Sequence, residues 1–253
     1  MKKYLFALLS FVMPTRLLRP VGQLFGHSIS EGAKIGFSVV CVDRMELGAH
    51  ARIGHGNIVT TQTLTLSERA MIGHLNRLHG PVHVRLDNEA LIGNRNKIYR
   101  ASQHTFKRMS HVRIGGYSKI TSDHLVECLR DVEIGDNTTL GGIGSQLWTH
   151  SYYHHPTGRG RFRIDGGITI GNNVYVGSMC VINPGVRICD AVSVGSHSVV
   201  ARTISEPGLY VSQPLRKLSQ TAEGLRSQLI EGDGDLSYEP FFEKPPEKLE
   251  RKS

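Results

Sequence analysis

The chain has 253 residues, of which 39% are hydrophobic, and a formal net charge of +8 at pH 7. Its basic residues are scattered and form no recognisable nucleic-acid-binding module, which excludes nucleic acid as the expected partner. The positive charge instead favours phosphorylated cofactors, anionic glycans or an anionic membrane surface.

Residues 1–25 form the first predicted element, an apolar helix followed by a turn. Lys2 and Lys3 precede an apolar stretch over residues 4–13, which is too short to span a membrane and has no small-residue cleavage site after it. Residues 14–20 then combine basic and apolar side chains. Two interpretations stay open, a cap on the end of the next domain and contact with the inner leaflet of a membrane.

Residues 26–205 are predicted to form one elongated all-β domain, because an aliphatic side chain returns at every sixth position. Neither an α-helix nor a simple strand keeps an inward position at a period of six. A parallel β-helix does, because each unit is one short strand and a corner, and three units close a triangular coil. The phase slips several times, and the longest excursion covers residues 151–167. The most regular stretch comprises Ile170, Val176, Ile182, Ile188, Val194 and Val200.

The cysteines and the C-terminal extension complete this description. The four cysteines have no zinc-type spacing, and Cys41 and Cys180 fall on predicted inward positions, so we expect core packing in a reducing compartment. Within the extension, residues 206–253, a short helix is predicted over 215–230. The polar, Pro-rich end that follows is predicted to lack fixed structure.

Five segments carry a resemblance to a known family. They read GSQLWTHSYYHHP at 144–156, IGNNVYVG at 170–177, NPGVRI at 183–188, GSHSVVAR at 195–202 and SQPLR at 212–216. In these segments the chain resembles the hexapeptide-repeat acyltransferases with a left-handed parallel β-helix. Within that family it is most similar to the O-acetyltransferases of bacterial surface-polysaccharide and lipopolysaccharide biosynthesis.

The resemblance implies a cytoplasmic homotrimer that transfers an acetyl group from acetyl-CoA to a sugar hydroxyl, with no metal. His150 matches the family's catalytic histidine, and an imidazole can accept the proton of an attacking hydroxyl near neutral pH. The resemblance also implies an acetyl-CoA site that includes Gly177, Ser178, Gly195, Arg202 and Arg216. A carboxylate that orients His150 is expected, but the choice among Asp131, Glu133 and Asp136 stays open.

The segment around the excursion is the predicted acceptor site, since loops on a rigid scaffold commonly determine specificity. Its charge favours an anionic acceptor, such as a sugar with a phosphate or carboxylate, or a lipid-linked glycan. The alternative is that this loop wraps a neighbouring subunit. The candidate substrate-binding residues are Trp148, Tyr152, Tyr153, His154, His155, Arg159, Arg161 and Arg163.

Two other functions remain as alternatives. His74 and His79 resemble part of the zinc site of the γ-class carbonic anhydrases, in which three histidines acidify a bound water. The position of the third ligand falls near Ser38, which cannot take that role. The remaining alternative is a non-catalytic β-helix scaffold.

Overall fold

A computed structural model describes residues 2–100, 108–154, 156 and 160–212, together with the short pieces 223–224, 227–228, 230–231 and 242–243. The chain divides into two units, Met1–Ser212 and Gln213–Ser253. The first unit holds the repeats. Most of the helix predicted over residues 215–230 lies outside the described residues.

Two helices cover the start of the first coil, α1 (Lys2–Val12) and α2 (Thr15–Leu24). Phe6 in α1 and Leu18 in α2 are fully buried and belong to the same apolar core as the coils. Pro14 separates the two helices at the N-cap of α2. One face of this helical pair therefore acts as the cap that a solenoid end requires.

The rest of the first unit is the expected left-handed parallel β-helix. Each coil contributes one strand to each of three faces, and within a face every neighbouring pair is parallel. Face one consists of β2 (Lys34–Ile35), β5 (Arg52–Ile53), β7 (Met71–Ile72), β9 (Leu91–Ile92), β12 (Lys119–Ser122), β15 (Thr139–Ile143), β20 (Tyr175–Val176), β23 (Val192–Val194) and β25 (Gly208–Tyr210).

Faces two and three share the long strands β6 (Ile58–Leu66) and β8 (Arg77–Leu86), which continue around the corner between them. Face two adds β3 (Val39–Val40), β10 (Lys97–Tyr99), β13 (Leu125–Glu127), β16 (Gln146–Leu147), β21 (Val181–Ile182) and β24 (Val199–Val200). Face three adds β1 (Ser28–Ile29), β4 (Arg44–Leu47), β11 (Ser110–Ile114), β14 (Val132–Ile134), β19 (Ile168–Ile170) and β22 (Arg187–Ile188). Outside the faces, β17 (His150–Tyr153) and β18 (Phe162–Asp165) form an antiparallel hairpin, and β26 (Ile230–Glu231) pairs with β27 (Phe242–Glu243) in the second unit.

The six-residue period is confirmed in the core. All six positions of the regular stretch between Ile170 and Val200 are buried. One inward assignment in the first coil is wrong, because Val40 and Val42 are buried whereas Cys41 between them is only partly so. The β-helix also continues past the predicted end at residue 205, since β25 still pairs with β23.

The three corners differ in a way that positions the functional site. At two of them the chain turns through residues with positive φ, for example Asn137 and Asn173 before face one and Asp123 before face two. A positive φ is uncommon in residues other than glycine, and here it gives a compact corner that repeats from coil to coil. The longest connections, from β10 to β11 and from β16 to β19, both span the third corner, between faces two and three. The two longest insertions therefore leave the β-helix at that corner.

Candidate active site

His150 stands where the chain leaves the β-helix. Leu147 anchors the end of β16 in the core, Thr149 is fully buried, and His150 begins the hairpin strand β17. Its side chain is 23% exposed. The rings of Trp148 and Tyr152 approach it edge-on, with centroids 6.5 and 5.9 Å away.

A buried carboxylate lies behind this histidine. Oε2 of Glu127 is 3.0 Å from Nδ1 of His150, and the Glu127 side chain is fully buried. The two atoms are at hydrogen-bond distance, although their alignment departs from that of a regular hydrogen bond. Nδ1 is itself buried, which leaves Nε2 as the ring nitrogen available to a bound substrate.

Three donors hold Glu127 in place. Oε1 accepts a hydrogen bond from the Leu129 N–H at 2.9 Å, and Oε2 accepts from both the N–H and the hydroxyl of Thr149, at 3.1 and 2.6 Å. These bonds offset the cost of burying a carboxylate. Because Thr149 is the neighbour of His150, the same bonds also fix the position of the histidine backbone.

Sequence reasoning missed Glu127. In the structure Val126 pairs with Leu147, so Glu127 lies beside the residues that follow Leu147. The three carboxylates considered instead lie elsewhere: Asp131 and Glu133 contact His111, and Asp136 accepts from the Gly116 N–H. An alignment of Val126 with Leu147, twenty-one residues later, would have predicted that Glu127 lies close to His150.

The charge of Glu127 also affects its neighbours. Burial, and after it the charge of Glu127, raises the pKa of the Cys128 thiol, so this cysteine stays protonated and is a poor nucleophile at neutral pH. The same two causes raise the pKa of Tyr99, which pairs with Glu127 in the next coil. No covalent role for Cys128 is therefore supported.

The hairpin carries an exposed aromatic surface. The rings of Tyr153 and Phe162 are stacked with centroids 5.2 Å apart, and the Arg161 guanidinium lies 5.2 Å from the ring centre of Tyr152. His154 is exposed beside them. Two further predicted substrate residues, His155 and Arg159, lie outside the described residues.

Arg163 differs from Arg161, although both were predicted to bind an anionic acceptor. Arg163 donates to Asp165 at 3.0 Å, and Arg130 donates to the same oxygen at 3.1 Å. Asp165 pairs with His150 across the hairpin. Arg163 therefore forms an ion pair within the protein, and this pair holds the hairpin beside His150.

The structure explains in a different way why glycine stands at the two positions that were predicted to leave room for acetyl-CoA. A Cβ on Gly177 would lie 2.7 Å from the backbone nitrogen of Ser196, and one on Gly195 would lie 3.0 Å from a methyl group of Val211. The next coil occupies the space that we expected to be open to a ligand. Close stacking of coils thus explains both glycines, and their contact with acetyl-CoA stays a prediction.

The other predicted acetyl-CoA residues are less closely packed. Ser178 is half-buried, with Oγ 3.4 Å from the Ile143 N–H. Arg202 is exposed and lines an open depression of about 450 Å³ near the last coil, together with Tyr210 and Ser212. Arg216 lies outside the described residues.

The two candidate zinc ligands do not come together. Nδ1 of His74 accepts the His55 N–H at 3.0 Å, whereas His79 stacks on Tyr99 with centroids 5.7 Å apart. His74 lies in the corner before β8, whereas His79 is the third residue of that strand. Within the part of the chain that the structure describes, no three His, Cys, Asp or Glu side chains are grouped as a metal site.

Comparison with known proteins finds a family match for the most regular repeats. Residues 167–202 match the family model for bacterial transferase hexapeptide (six repeats). The resemblance inferred from the repeats is thereby confirmed. Galactoside O-acetyltransferase of Escherichia coli (strain K12) is 34% identical over 101 residues, which is 40% of this chain and 47% of that protein. The chain therefore matches about half the length of this relative.

Two solved structures are similar to parts of this chain. A maltose O-acetyltransferase from Clostridium difficile 630 is 26% identical, with 55% of this chain and 66% of that chain covered and a TM-score of 0.36. AntD, an N-acyltransferase from Bacillus cereus in complex with dTDP and 3-hydroxybutyryl-CoA, is 16% identical, with 86% and 93% covered and a TM-score of 0.26. With TM-scores this low, neither superposition supports an argument about the site.

Proposed function

We propose that this hexapeptide-repeat protein is a CoA-dependent O-acyltransferase that moves an acetyl group from acetyl-CoA to a sugar hydroxyl. One observation carries the proposal: His150 stands at the foot of an exposed aromatic hairpin with its Nδ1 3.0 Å from a fully buried carboxylate. The local similarity to a galactoside O-acetyltransferase supports a sugar hydroxyl as the acceptor.

The reaction follows from the proton that His150 can accept. Nε2 removes the proton of the acceptor hydroxyl while the hydroxyl oxygen attacks the thioester carbon. The tetrahedral intermediate then collapses, the carbon–sulfur bond breaks, and the CoA thiolate takes the proton from Nε2. No enzyme nucleophile is needed, and His150 acts as the general base in a ternary complex.

Glu127 is the positioning residue for this base. A carboxylate beside Nδ1 favours the tautomer in which Nε2 is free to accept a proton, and it stabilises the imidazolium that forms. Its three hydrogen-bond donors keep it in place while the charge on His150 changes. Backbone N–H groups of an adjacent coil would stabilise the oxyanion.

The two substrates reach His150 from different elements. Acetyl-CoA lies along the coils near Ser178, with Arg202 on its phosphates, since a guanidinium binds phosphate in a bidentate manner. The acceptor lies on the hairpin, where Tyr152 and Tyr153 offer aromatic faces. Arg161 would meet a phosphate or carboxylate on that acceptor.

The assembly and the cellular setting belong to the same proposal. A second subunit supplies the other wall of the acetyl-CoA groove, in a homotrimer. The cytoplasm supplies acetyl-CoA and keeps the four free cysteines reduced. Surface-polysaccharide or lipopolysaccharide biosynthesis, with an anionic or lipid-linked glycan as acceptor, is the process that this chemistry serves.

The test is mass spectrometry of sugars incubated with the protein and acetyl-CoA. We expect a mass increase of one acetyl group on at least one hydroxyl-bearing sugar, and its loss in His150→Ala. The matched control is His111→Ala, which removes another carboxylate-paired histidine on face three. The proposal fails if His150→Ala acetylates as well as the wild type, or if transfer goes to amines alone.

A further inference from the structure

Helix α1 is apolar on both sides. Its inner side holds Phe6 and Ala7, which are buried against the first coil. Its outer side carries large apolar residues that are 48 to 66% exposed and follow helical spacing along a single stripe. The stripe comprises Tyr4, Leu5, Leu8, Phe11 and Val12.

The cap therefore explains only half of this helix. A helix that merely closes the end of a solenoid needs a polar outer side, because terminal caps keep the core away from water. Leu17 of the adjoining helix α2 is also apolar and is 56% exposed. We call the stripe and Leu17 together the N-terminal apolar patch. Contiguous exposed apolar surface of this kind marks an interaction site.

The charge around the patch points to the partner. Residues 1–30 contain four basic residues, Lys2, Lys3, Arg16 and Arg19, and no acidic residue. Lys3 pairs with Asp43 at 3.0 Å. Arg16 and Arg19 are exposed, and no salt bridge is found for either within the described residues. Within the described residues, two arginines without a salt bridge thus accompany the apolar surface, and Glu31 lines the same depression as both of them.

We propose that the N-terminal apolar patch lies on a lipid bilayer that contains anionic lipids. The apolar side chains enter the interface between headgroups and acyl chains, and Arg16 and Arg19 bind lipid phosphates. None of the helices in the described residues is long and apolar enough to cross a bilayer. In this arrangement α1 and α2 both lie at the interface, with the first coil above them.

A second copy that docks through its own N-terminal apolar patch is a poorer occupant, and a contact with a different surface of a neighbouring subunit is tested by the oligomeric mass. In a two-fold contact each copy presents the same surface, so the two acid-free segments would face each other with like charges. An anionic bilayer neutralises those charges and covers the apolar stripe in one contact. This inference is independent of the proposed function. If both hold, membrane binding brings the enzyme to the surface that carries lipid-linked acceptors.

Vesicle flotation with the full chain tests the proposal, without any acyl donor. We compare phosphatidylcholine vesicles with and without phosphatidylglycerol. The wild type should float with the anionic vesicles and bind the neutral ones about tenfold less. Leu8→Asn/Phe11→Asn should lose about tenfold in binding to anionic vesicles. Arg16→Gln/Arg19→Gln should lose binding to a similar extent, and the remainder should depend less on salt.

A matched control separates the patch from general hydrophobicity. Leu75→Asn removes an equally exposed leucine at a distant corner, where its positive φ suits asparagine, and should bind like the wild type. Circular dichroism and light scattering check that the variants stay folded with an unchanged mass. The proposal is overturned if the wild type does not bind anionic vesicles, or if the patch variants float with them as well as the wild type does. It is also overturned if Leu8→Asn/Phe11→Asn instead changes the oligomeric mass.

Discussion

At the scale of single residues, the proposed chemistry depends on which ring nitrogen of His150 meets the substrate. Nδ1 is buried against Glu127, and Glu127 in turn accepts a hydrogen bond from the backbone N–H of Thr149, the residue before His150. Nε2 is then the one position from which a proton can be exchanged with an acceptor. Removal of the carboxylate should therefore damage catalysis more than binding.

The first prediction concerns this carboxylate. Glu127→Gln should lower kcat by about 10² to 10⁴-fold, because the useful tautomer of His150 is no longer favoured. The KM for acetyl-CoA should change little. Steady-state kinetics measures both constants, and the thermal midpoint shows whether the variant remains folded.

Glu133→Gln is the matched control for Glu127→Gln. It changes a carboxylate beside another histidine, His111, away from the hairpin. We expect its kcat to stay near the wild-type value. Equal losses in the two variants, or full activity of Glu127→Gln, would contradict the role assigned to Glu127.

A second prediction at this scale concerns a polar ladder inside the β-helix. Oδ1 of Asn76 accepts the Asn96 N–H, Oδ1 of Asn96 accepts the His124 N–H, and Nδ1 of His124 accepts the Ser145 N–H. His124 thus occupies a place that asparagine fills in earlier coils. Burial lowers the pKa of His124 below its ordinary value of 6.5.

The sign of the resulting pH dependence follows from linkage. Below pH 6.5 the unfolded chain binds a proton on His124 that the folded chain does not. The stabilisation is complete above pH 6.5 and is lost as the pH falls toward the folded pKa, by at most about 1.4 kcal/mol per pH unit. His124→Asn keeps the acceptor for Ser145 and should reduce this loss. Urea unfolding at several pH values checks it, and an unchanged pH dependence would contradict it.

Comparison of sequence and structure at this scale shows where the prediction stopped. His150 was recognised because a local motif surrounds it. Glu127 was not recognised, because its proximity to His150 depends on the register across a phase slip. A strict period of six from Leu140 would make Gln146 the inward residue, but one extra residue near Gly142 makes it Leu147. Arg163 looked free because the sequence analysis treated this segment as a loop; in strand β18, side chains two residues apart lie on the same side, and Asp165 therefore pairs with it.

At the scale of elements, the hairpin β17–β18 combines two tasks. Its base holds His150 opposite Asp165, and its outer part exposes the aromatic surface. These tasks can be separated, because the stacked pair Tyr153 and Phe162 closes the described part of the hairpin.

The third prediction uses this separation. Replacement of residues 154–161 by Asn-Gly, a tight turn suited to a two-residue hairpin, keeps both strands and removes the tip with Arg161. The KM for the acceptor should rise by about tenfold, while the affinity for acetyl-CoA stays unchanged. Kinetics with an identified acceptor, together with calorimetry of acetyl-CoA, measures the two effects. An unchanged acceptor KM with a changed oligomeric mass would show that the tip contacts a neighbouring subunit instead.

At the scale of the whole molecule, the architecture could be predicted because every coil repeats the same inward requirement. The insertions could be recognised as phase slips, but their common position at one corner required the register of all three faces. Glycine was ambiguous, because Gly177 and Gly195 suit both a close ligand and a closely stacked coil. The N-terminal helices were also ambiguous. A cap and a membrane contact looked like alternatives, whereas two opposite sides of α1 can serve both.

The most direct test of the central claim is calorimetric binding of acetyl-CoA together with thiol release, in the wild type and in His150→Ala. We predict that both proteins bind acetyl-CoA with similar affinity and that release of CoA thiol in the variant falls by about 10² to 10⁴-fold. Similar binding with this loss would place His150 in the chemical step. Absence of binding in the folded wild type, or equal thiol release by both proteins, would contradict the account.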